Sequence, residues 1–168
     1  MLFSKNPKEE KIITPRNPSD LTLANLTPRR PTIGPDIPVI LWRLLRLVSL
    51  NDILREEADS VAYLMGKHLG AVLGAKTVEE LHEQLTRLKI GKLDLSINTP
   101  DVVHLAIGEC LTCDGITPPI GKAICQLETG IVAGALETIY PGRKALGEET
   151  KCIGGLGDDV CLIECRII

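Results

Sequence analysis

Residues 144–168 read KALGEETKCIGGLGDDVCLIECRII, and this stretch carries the clearest fold information in the chain. Two segments of strand character, about 144–153 and 159–168, flank a glycine-rich loop, which predicts an antiparallel β-hairpin. The midpoint of the hairpin falls in the loop, so Cys152 and Cys161 should face each other. Their Cβ atoms would then lie about 4.5–5.5 Å apart.

The cysteines of this hairpin are candidates for a metal site. Two thiolates at that separation can bind one tetrahedral zinc ion. Cys125, on a helix expected to pack across the sheet, is a candidate third ligand. The fourth would be a carboxylate: Glu148 shares a strand face with Cys152, whereas Glu149 would need a β-bulge to do so.

All six cysteines lie within residues 110–168. Residues 1–11 are polar and charged and lack the apolar stretch of a secretory signal, so we expect a cytoplasmic protein with reduced thiols. Clustered thiols then indicate a metal site or reactive cysteines, and disulfides of the hyperthermophile type are the alternative. Cys110 and Cys113 form a CxxC pair that competes for the metal, and Cys165 fits a small buried side chain.

The composition limits the classes of partner. The chain has 168 residues, 44% apolar and 24% charged, as expected for one globular domain. Only 2% are aromatic and the formal net charge is -3, which argues against a nucleic-acid partner. The longest apolar run, residues 37–50, contains two arginines and is shorter than the ~20 residues that cross a bilayer. We therefore expect no membrane span.

The first part of the chain differs from the rest. Seven of the eleven prolines lie in the first 38 residues, and proline fixes φ and lacks an N–H. Residues 1–36 are therefore predicted to form an extended arm, and residues 37–168 a single domain. Residues 37–50 read as a helix buried on most sides. Burial against a second copy predicts a homodimer, and packing in the chain's own core is the alternative.

The remaining periodicities predict the other elements. Helical patterns cover 51–75 and 77–91, strand alternation covers 92–98 and about 103–110, and a further helical pattern covers 120–140. The order is three helices, a hairpin, a helix and a hairpin. We therefore predict an α+β fold, with helices packed on a small antiparallel sheet of two hairpins.

Glycines recur at every fourth position on two of these helices. Gly66, Gly70 and Gly74 lie on the first, and Gly130 and Gly134 on the second. A helical glycine costs about 1 kcal/mol relative to alanine, so these stripes require a compensating cause. Either the helices wall an apolar cavity over the sheet, or they pack tightly with no cavity between them.

Several of these motifs together resemble the 4-vinyl-reductase domain family, in its archaeal stand-alone form. The resemblance covers roughly Pro35 to the C-terminus. It is carried by Glu109-Cys110-Leu111-Thr112-Cys113, by Cys125 with Gly130-Ile131-Val132-Ala133-Gly134, by Glu149-Thr150-Lys151-Cys152, by Gly157-Asp158 with Cys161, and upstream by Gly66-Lys67-His68-Leu69-Gly70 and Leu88-Lys89-Ile90-Gly91.

The resemblance implies a small-molecule-binding fold shared with haem-type nitric-oxide sensors and Golgi transport-particle subunits. In the sensor members, a helix cysteine, a glutamate and two hairpin cysteines bind a structural zinc. The resemblance implies that the corresponding zinc ligands in this chain are Cys125, Glu149, Cys152 and Cys161. The ligand-facing position of those sensors falls near His104.

Two functions follow from this resemblance. The first is a zinc-containing protein that binds a small apolar, hydrocarbon- or lipid-like molecule as a sensor or carrier. The alternative is a 4-vinyl reductase that acts on a tetrapyrrole. The sequence has no Gly-x-Gly-x-x-Gly after a strand, and so no nicotinamide or flavin fingerprint, which favours the binding protein.

Overall fold

The computed structural model describes Leu26, residues 28–33 and residues 36–168. Its centre is a four-stranded antiparallel sheet in the order β1-β2-β4-β3. The central β2–β4 pair joins the two predicted hairpins, so the α+β prediction is confirmed. Most of the predicted arm lies outside the described residues. The strands are β1 (Lys92–Asn98), β2 (Val102–Gly108), β3 (Ala145–Lys151) and β4 (Cys161–Ile167).

The helices lie mainly before the sheet and between its two hairpins. Val39–Arg43 (α1), the π-helical Leu44–Ser49 and Leu50–Leu54 (α2) follow one another directly, and we call them the N-terminal helical segment. A 3-10 turn, Arg55–Glu57, interrupts the single helix predicted over 51–75. The others are α3 (Ala58–Leu73), α4 (Val78–Arg87), α5 (Gln126–Ile139) and the short α6 (Ile153–Leu156).

Helices α3 and α5 meet through their glycines. A Cβ atom added to Gly134 would lie 2.0 Å from the carbonyl oxygen of Lys67, and one added to Gly70 would lie 2.1 Å from that of Ile131. The two backbones are therefore in direct contact. The glycine stripes serve tight packing of the two helices, and the alternative of an apolar cavity between them is wrong.

Helix α5 begins six residues later than predicted, at Gln126 rather than Ile120. The intervening backbone is engaged elsewhere. The N–H of Ile120 donates to the Gly154 carbonyl over 3.2 Å, and that of Gly121 donates to the Gly155 carbonyl over 2.8 Å. These bonds to the last hairpin loop replace the first turn of a helix and bring Cys125 to the hairpin.

The N-terminal helical segment packs on the core along one side, through the half-buried Trp42, Leu47 and Leu50, and is exposed along the other, so the expected burial on most sides is wrong. Only Arg46 of the segment is buried. Most of the segment's other large apolar side chains are exposed and lie three or four residues apart. No helix among the described residues has both the length and the apolar content needed to span a bilayer. The exposed apolar residues from this region are Ile37, Val39, Ile40, Leu41, Leu44, Leu45, Val48 and Ile53.

Candidate metal centre

Five buried cysteines and one buried glutamate converge at the start of α5. They come from three places: the loop after β2, the residue before α5, and the last hairpin. They form two overlapping groups of four, and within each group the ligand atoms all lie within 4.8 Å of one another. One group is Cys125, Glu149, Cys152 and Cys161, the set implied by the sequence resemblance, and the other is Cys110, Cys113, Cys125 and Cys161.

The spacing of the sulfur atoms suits a tetrahedral metal ion. Cys125 Sγ lies 4.0 Å from Cys152 Sγ, 3.9 Å from Cys161 Sγ and 3.6 Å from Cys110 Sγ. The Sγ atoms of Cys113 and Cys161 are 3.2 Å apart. A Zn–S bond of about 2.3 Å gives a tetrahedral edge of about 3.8 Å, within this range. All six cysteines of the chain are free thiols.

The hairpin brings its ligands together through an irregular register. The ladder passes from Glu149↔Ile163 to Lys151↔Leu162, so a β-bulge lies between Glu149 and Lys151. This bulge is the feature that a Glu149 ligand requires, and Glu149 is buried while Glu148 is exposed. The direct pairing predicted for Cys152 and Cys161 is wrong, because Cys152 lies beyond the ladder as the N-cap of α6.

Of the two carboxylate oxygens of Glu149, one accepts a hydrogen bond and the other has no hydrogen-bond partner among the described residues. Its Oε2 accepts a hydrogen bond from the backbone N–H of Cys125 over 2.7 Å. Its buried Oε1 has no hydrogen-bond partner among the described residues. Burial raises the pKa of this carboxyl to about 8. An unpartnered carboxylate oxygen beside three thiols fits the donor set of a zinc ion.

Comparison with known proteins identifies the fold that holds this centre. No family model matches the chain. The uncharacterized protein MJ0150 of Methanocaldococcus jannaschii is 31% identical over 167 residues, which cover 96% of this chain and 88% of that protein. The crystal structure of a vinyl-4-reductase family protein from the same organism has a TM-score of 0.62 at 22% identity, over 81% of this chain and 85% of that one. The chain belongs to one family with MJ0150 and has the vinyl-4-reductase fold.

A second structure with this fold comes from a transcription activator. The phenol-responsive sensory domain of PoxR, solved with phenol, has a TM-score of 0.61 at 17% identity. The match covers 77% of this chain and 74% of that domain. It shows a shared fold.

The CxxC loop is held against the core of the fold by the N-terminal helical segment. Arg43 Nε donates to the Leu111 carbonyl over 2.9 Å, and Trp42 Nε1 donates to Thr112 Oγ1 over 3.3 Å. A hydrogen bond from Cys113 lowers the pKa of the Cys110 thiol. The loop thus places the sulfur atoms of Cys110 and Cys113 beside those of Cys125 and Cys161, a convergence that the isolated CxxC spacing did not establish.

A buried carboxyl behind this loop was missed by the sequence analysis. Glu128 is almost fully buried on α5, and the Thr112 hydroxyl donates to its Oε1. Burial raises the pKa of this carboxyl. Its position on the inward face of α5 was not evident because the α3–α5 glycine contact, which sets the rotation of α5, was unknown.

Cys165 and His104 lie away from the centre. Cys165 is fully buried on β4 but belongs to neither group, and burial raises its thiol pKa to about 12. His104 alternates along β2 with the buried Val103 and Leu105, so it faces away from the helices. It lines an open groove of about 530 Å³ on the outer face of the sheet, where its Nε2 lies 3.9 Å from a Glu164 carboxylate oxygen.

Proposed function

We propose that this chain is a zinc-containing protein that binds a small apolar molecule, as a sensor or carrier, in the cytoplasm. The observation that carries the zinc assignment is the meeting of Cys125, Glu149, Cys152 and Cys161 around an unpartnered buried oxygen. Three thiolates and a carboxylate fill all four positions of a tetrahedral ion, so zinc here has a structural role. It ties the hairpin to the start of α5.

The structure also limits where an apolar molecule can bind. The glycine contact between α3 and α5 leaves no room there, because backbone atoms already fill the space. Within the described residues, the helix–sheet layer contains a small apolar space, of about 10 Å³, under α4. We propose that this space opens when α4 moves outward. It is lined by Val78, Leu81, His82, Leu95, Val103, Leu105 and Val132.

Two observations support this location. The lining is almost wholly apolar, as expected of a pocket for a hydrocarbon-like molecule. Helix α4 is a separate amphipathic helix that buries Val78, Leu81 and Leu85 and is capped by Thr77. Its side-chain hydrogen bonds to neighbouring elements include those of Gln84 Nε2 with the Leu73 carbonyl and of His82 Nε2 with the Leu93 carbonyl. An outward shift of α4 would break these bonds but would not require the α3–α5 glycine contact to open. The solved PoxR domain, which holds phenol, supports a binding role for this fold.

The first prediction tests this space with the hydrophobic fluorophore N-phenyl-1-naphthylamine. The wild-type chain should bind the dye with enhanced fluorescence, and Leu81→Trp should weaken binding about tenfold, because the larger indole takes up the volume that an outward shift of α4 would open to the dye. Leu146→Trp is the matched control, since Leu146 is exposed on the outer face of the sheet. Equal dye binding by both variants, at unchanged thermal stability, would contradict the proposed location.

We also propose that the chain is a homodimer through the N-terminal helical segment. Residues 37–53 carry eight exposed large apolar side chains. The opposite side of the segment is fixed to its own domain by Trp42, Arg43 and Arg46. A second copy offers the same stripe, so one two-fold contact covers both stripes at once.

Native mass spectrometry should therefore detect two chains per particle for the freshly purified protein. Leu45→Glu should give mainly single chains, because it places a charge in the centre of the apolar stripe. Leu146→Glu, which changes a similarly exposed apolar residue on the outer face of the sheet, should remain dimeric. A wild-type chain that stays single at micromolar concentration would overturn the dimer.

A further inference from the structure

We propose that the cysteine cluster binds two metal ions, which share the thiolates of Cys125 and Cys161. The first ion occupies the zinc site proposed above, and the inference rests on that proposal. The second ion would be bound by the same two shared thiolates together with Cys110 and Cys113 of the CxxC loop. The result is a two-metal thiolate cluster with five cysteines and Glu149 as ligands.

The geometry places each shared sulfur between the two groups. Cys125 Sγ has Cys110 Sγ at 3.6 Å on the CxxC side and Cys152 Sγ at 4.0 Å on the hairpin side. Cys161 Sγ has Cys113 Sγ at 3.2 Å and accepts a hydrogen bond from the Ile153 N–H over 3.4 Å. Each thiol of the CxxC pair thus lies beside a different shared thiol, as expected of two tetrahedra with a common edge.

The backbone around the second group is closely fitted. A Cβ atom added to Gly154 of the hairpin would lie 2.2 Å from the Cys113 carbonyl oxygen. The hairpin and the CxxC loop are therefore in backbone contact, which fixes Cys113 relative to Cys161. From the other side, Arg43 Nη2 donates to the Cys110 carbonyl over 3.4 Å. Both CxxC cysteines are fully buried, so the residues packed around them fix their positions.

Charge balance permits a second ion. With one divalent ion in the hairpin group, Cys110 and Cys113 would remain as buried thiols or unpaired thiolates, and an unpaired buried charge is costly. A second divalent ion turns both into ligands. A site with two divalent ions, five thiolates and one carboxylate has the same formal charge as a site with one divalent ion, three thiolates and one carboxylate.

The sulfur spacing also bears on which metal chemistry fits. An iron–sulfur cluster places inorganic sulfide between the metals and spreads its cysteine ligands over a larger unit. The distances here, 3.2–4.0 Å, match the edge of a tetrahedron around a single ion. The proposed cluster is therefore built from zinc and cysteine thiolates without inorganic sulfide.

Metal analysis of the full chain and three variants tests the proposal. After reconstitution with zinc under reducing conditions and removal of excess metal, the wild type should contain two zinc ions per chain. Cys110→Ser/Cys113→Ser should contain one, as should Glu149→Gln/Cys152→Ser. Cys125→Ser should contain fewer than one, since it lacks a shared ligand. Circular dichroism checks that each variant is folded.

The outcomes separate this inference from the proposed function. One zinc in the wild type, unchanged by the double serine variant, would overturn the second site and leave the first intact. No zinc in the wild type would overturn both. The sharing of thiolates is tested without variants by replacing zinc with cobalt. The magnetic moment per cobalt should fall when the second ion is added, because bridging thiolates couple the two ions, and two uncoupled cobalt ions would overturn the shared edge.

Discussion

Cys125→Ser should abolish stable zinc binding and lower the melting temperature by about 8–16 °C relative to the zinc-loaded wild type. Cys125 belongs to both four-residue groups, so its loss leaves neither complete. A ligand present at a thousand times its Kd adds about 4 kcal/mol to the folded state, and 1 kcal/mol shifts the melting temperature of a chain of this size by about 2–4 °C. Thermal unfolding with added zinc, and then with EDTA, measures the effect.

The wild-type melting temperature should fall on chelation, whereas that of Cys125→Ser should not change. Cys165→Ser is the matched control: it removes an equally buried thiol from β4 but from neither group. Burying a hydroxyl there should cost about 1–3 kcal/mol, and the variant should keep its zinc. A wild-type protein that is insensitive to chelation, or a Cys125→Ser variant that holds zinc as firmly as the wild type, would contradict the zinc assignment.

The sheet was the most predictable part of the fold, because its signals are local. Alternation over 92–98 predicted the bounds of β1, and the alternation that follows closely over about 103–110 predicted its pairing with β2. The last hairpin was also evident, but its loop geometry was not. The β-bulge after Glu149 and the short helix α6 depend on backbone contacts with residues 113–122, which are distant in sequence.

The candidate site was predictable only in part. Hairpin symmetry predicted that Cys152 and Cys161 lie close together, and the expected helix–sheet packing made Cys125 a candidate third ligand. The family resemblance then selected Glu149 rather than Glu148. Nothing in the spacing of Cys110 and Cys113 placed them beside the same sulfur atoms. Their position is fixed by the β2–β4 pairing and by the anchoring of the CxxC loop to Arg43. Contacts of this kind join segments that are far apart in the sequence, and local sequence patterns do not report them.

The glycine stripes give the second large effect: Gly134→Ala should destabilise the protein by about 3 kcal/mol, a loss of roughly 10 °C in melting temperature. In an isolated helix the same change would stabilise by about 1 kcal/mol. Here the new methyl group would lie 2.0 Å from the Lys67 carbonyl oxygen and 2.6 Å from its carbonyl carbon. Because these are backbone atoms, relief requires α3 and α5 to separate.

Separation would also strain the ion pair of Lys67 and Glu137, whose Nζ and Oε1 atoms are 2.8 Å apart across the same contact. Gly108→Ala is the control, since its added Cβ would meet nothing closer than 3.8 Å and should cost under about 1 kcal/mol. Zinc content should be unchanged in both variants, because neither glycine contributes a ligand atom to the metal groups. Chemical unfolding of zinc-loaded protein measures the difference. Equal stability of Gly134→Ala and Gly108→Ala would mean that the α3 and α5 backbones are not in contact. The space between these two helices would then again be a candidate binding site for an apolar molecule.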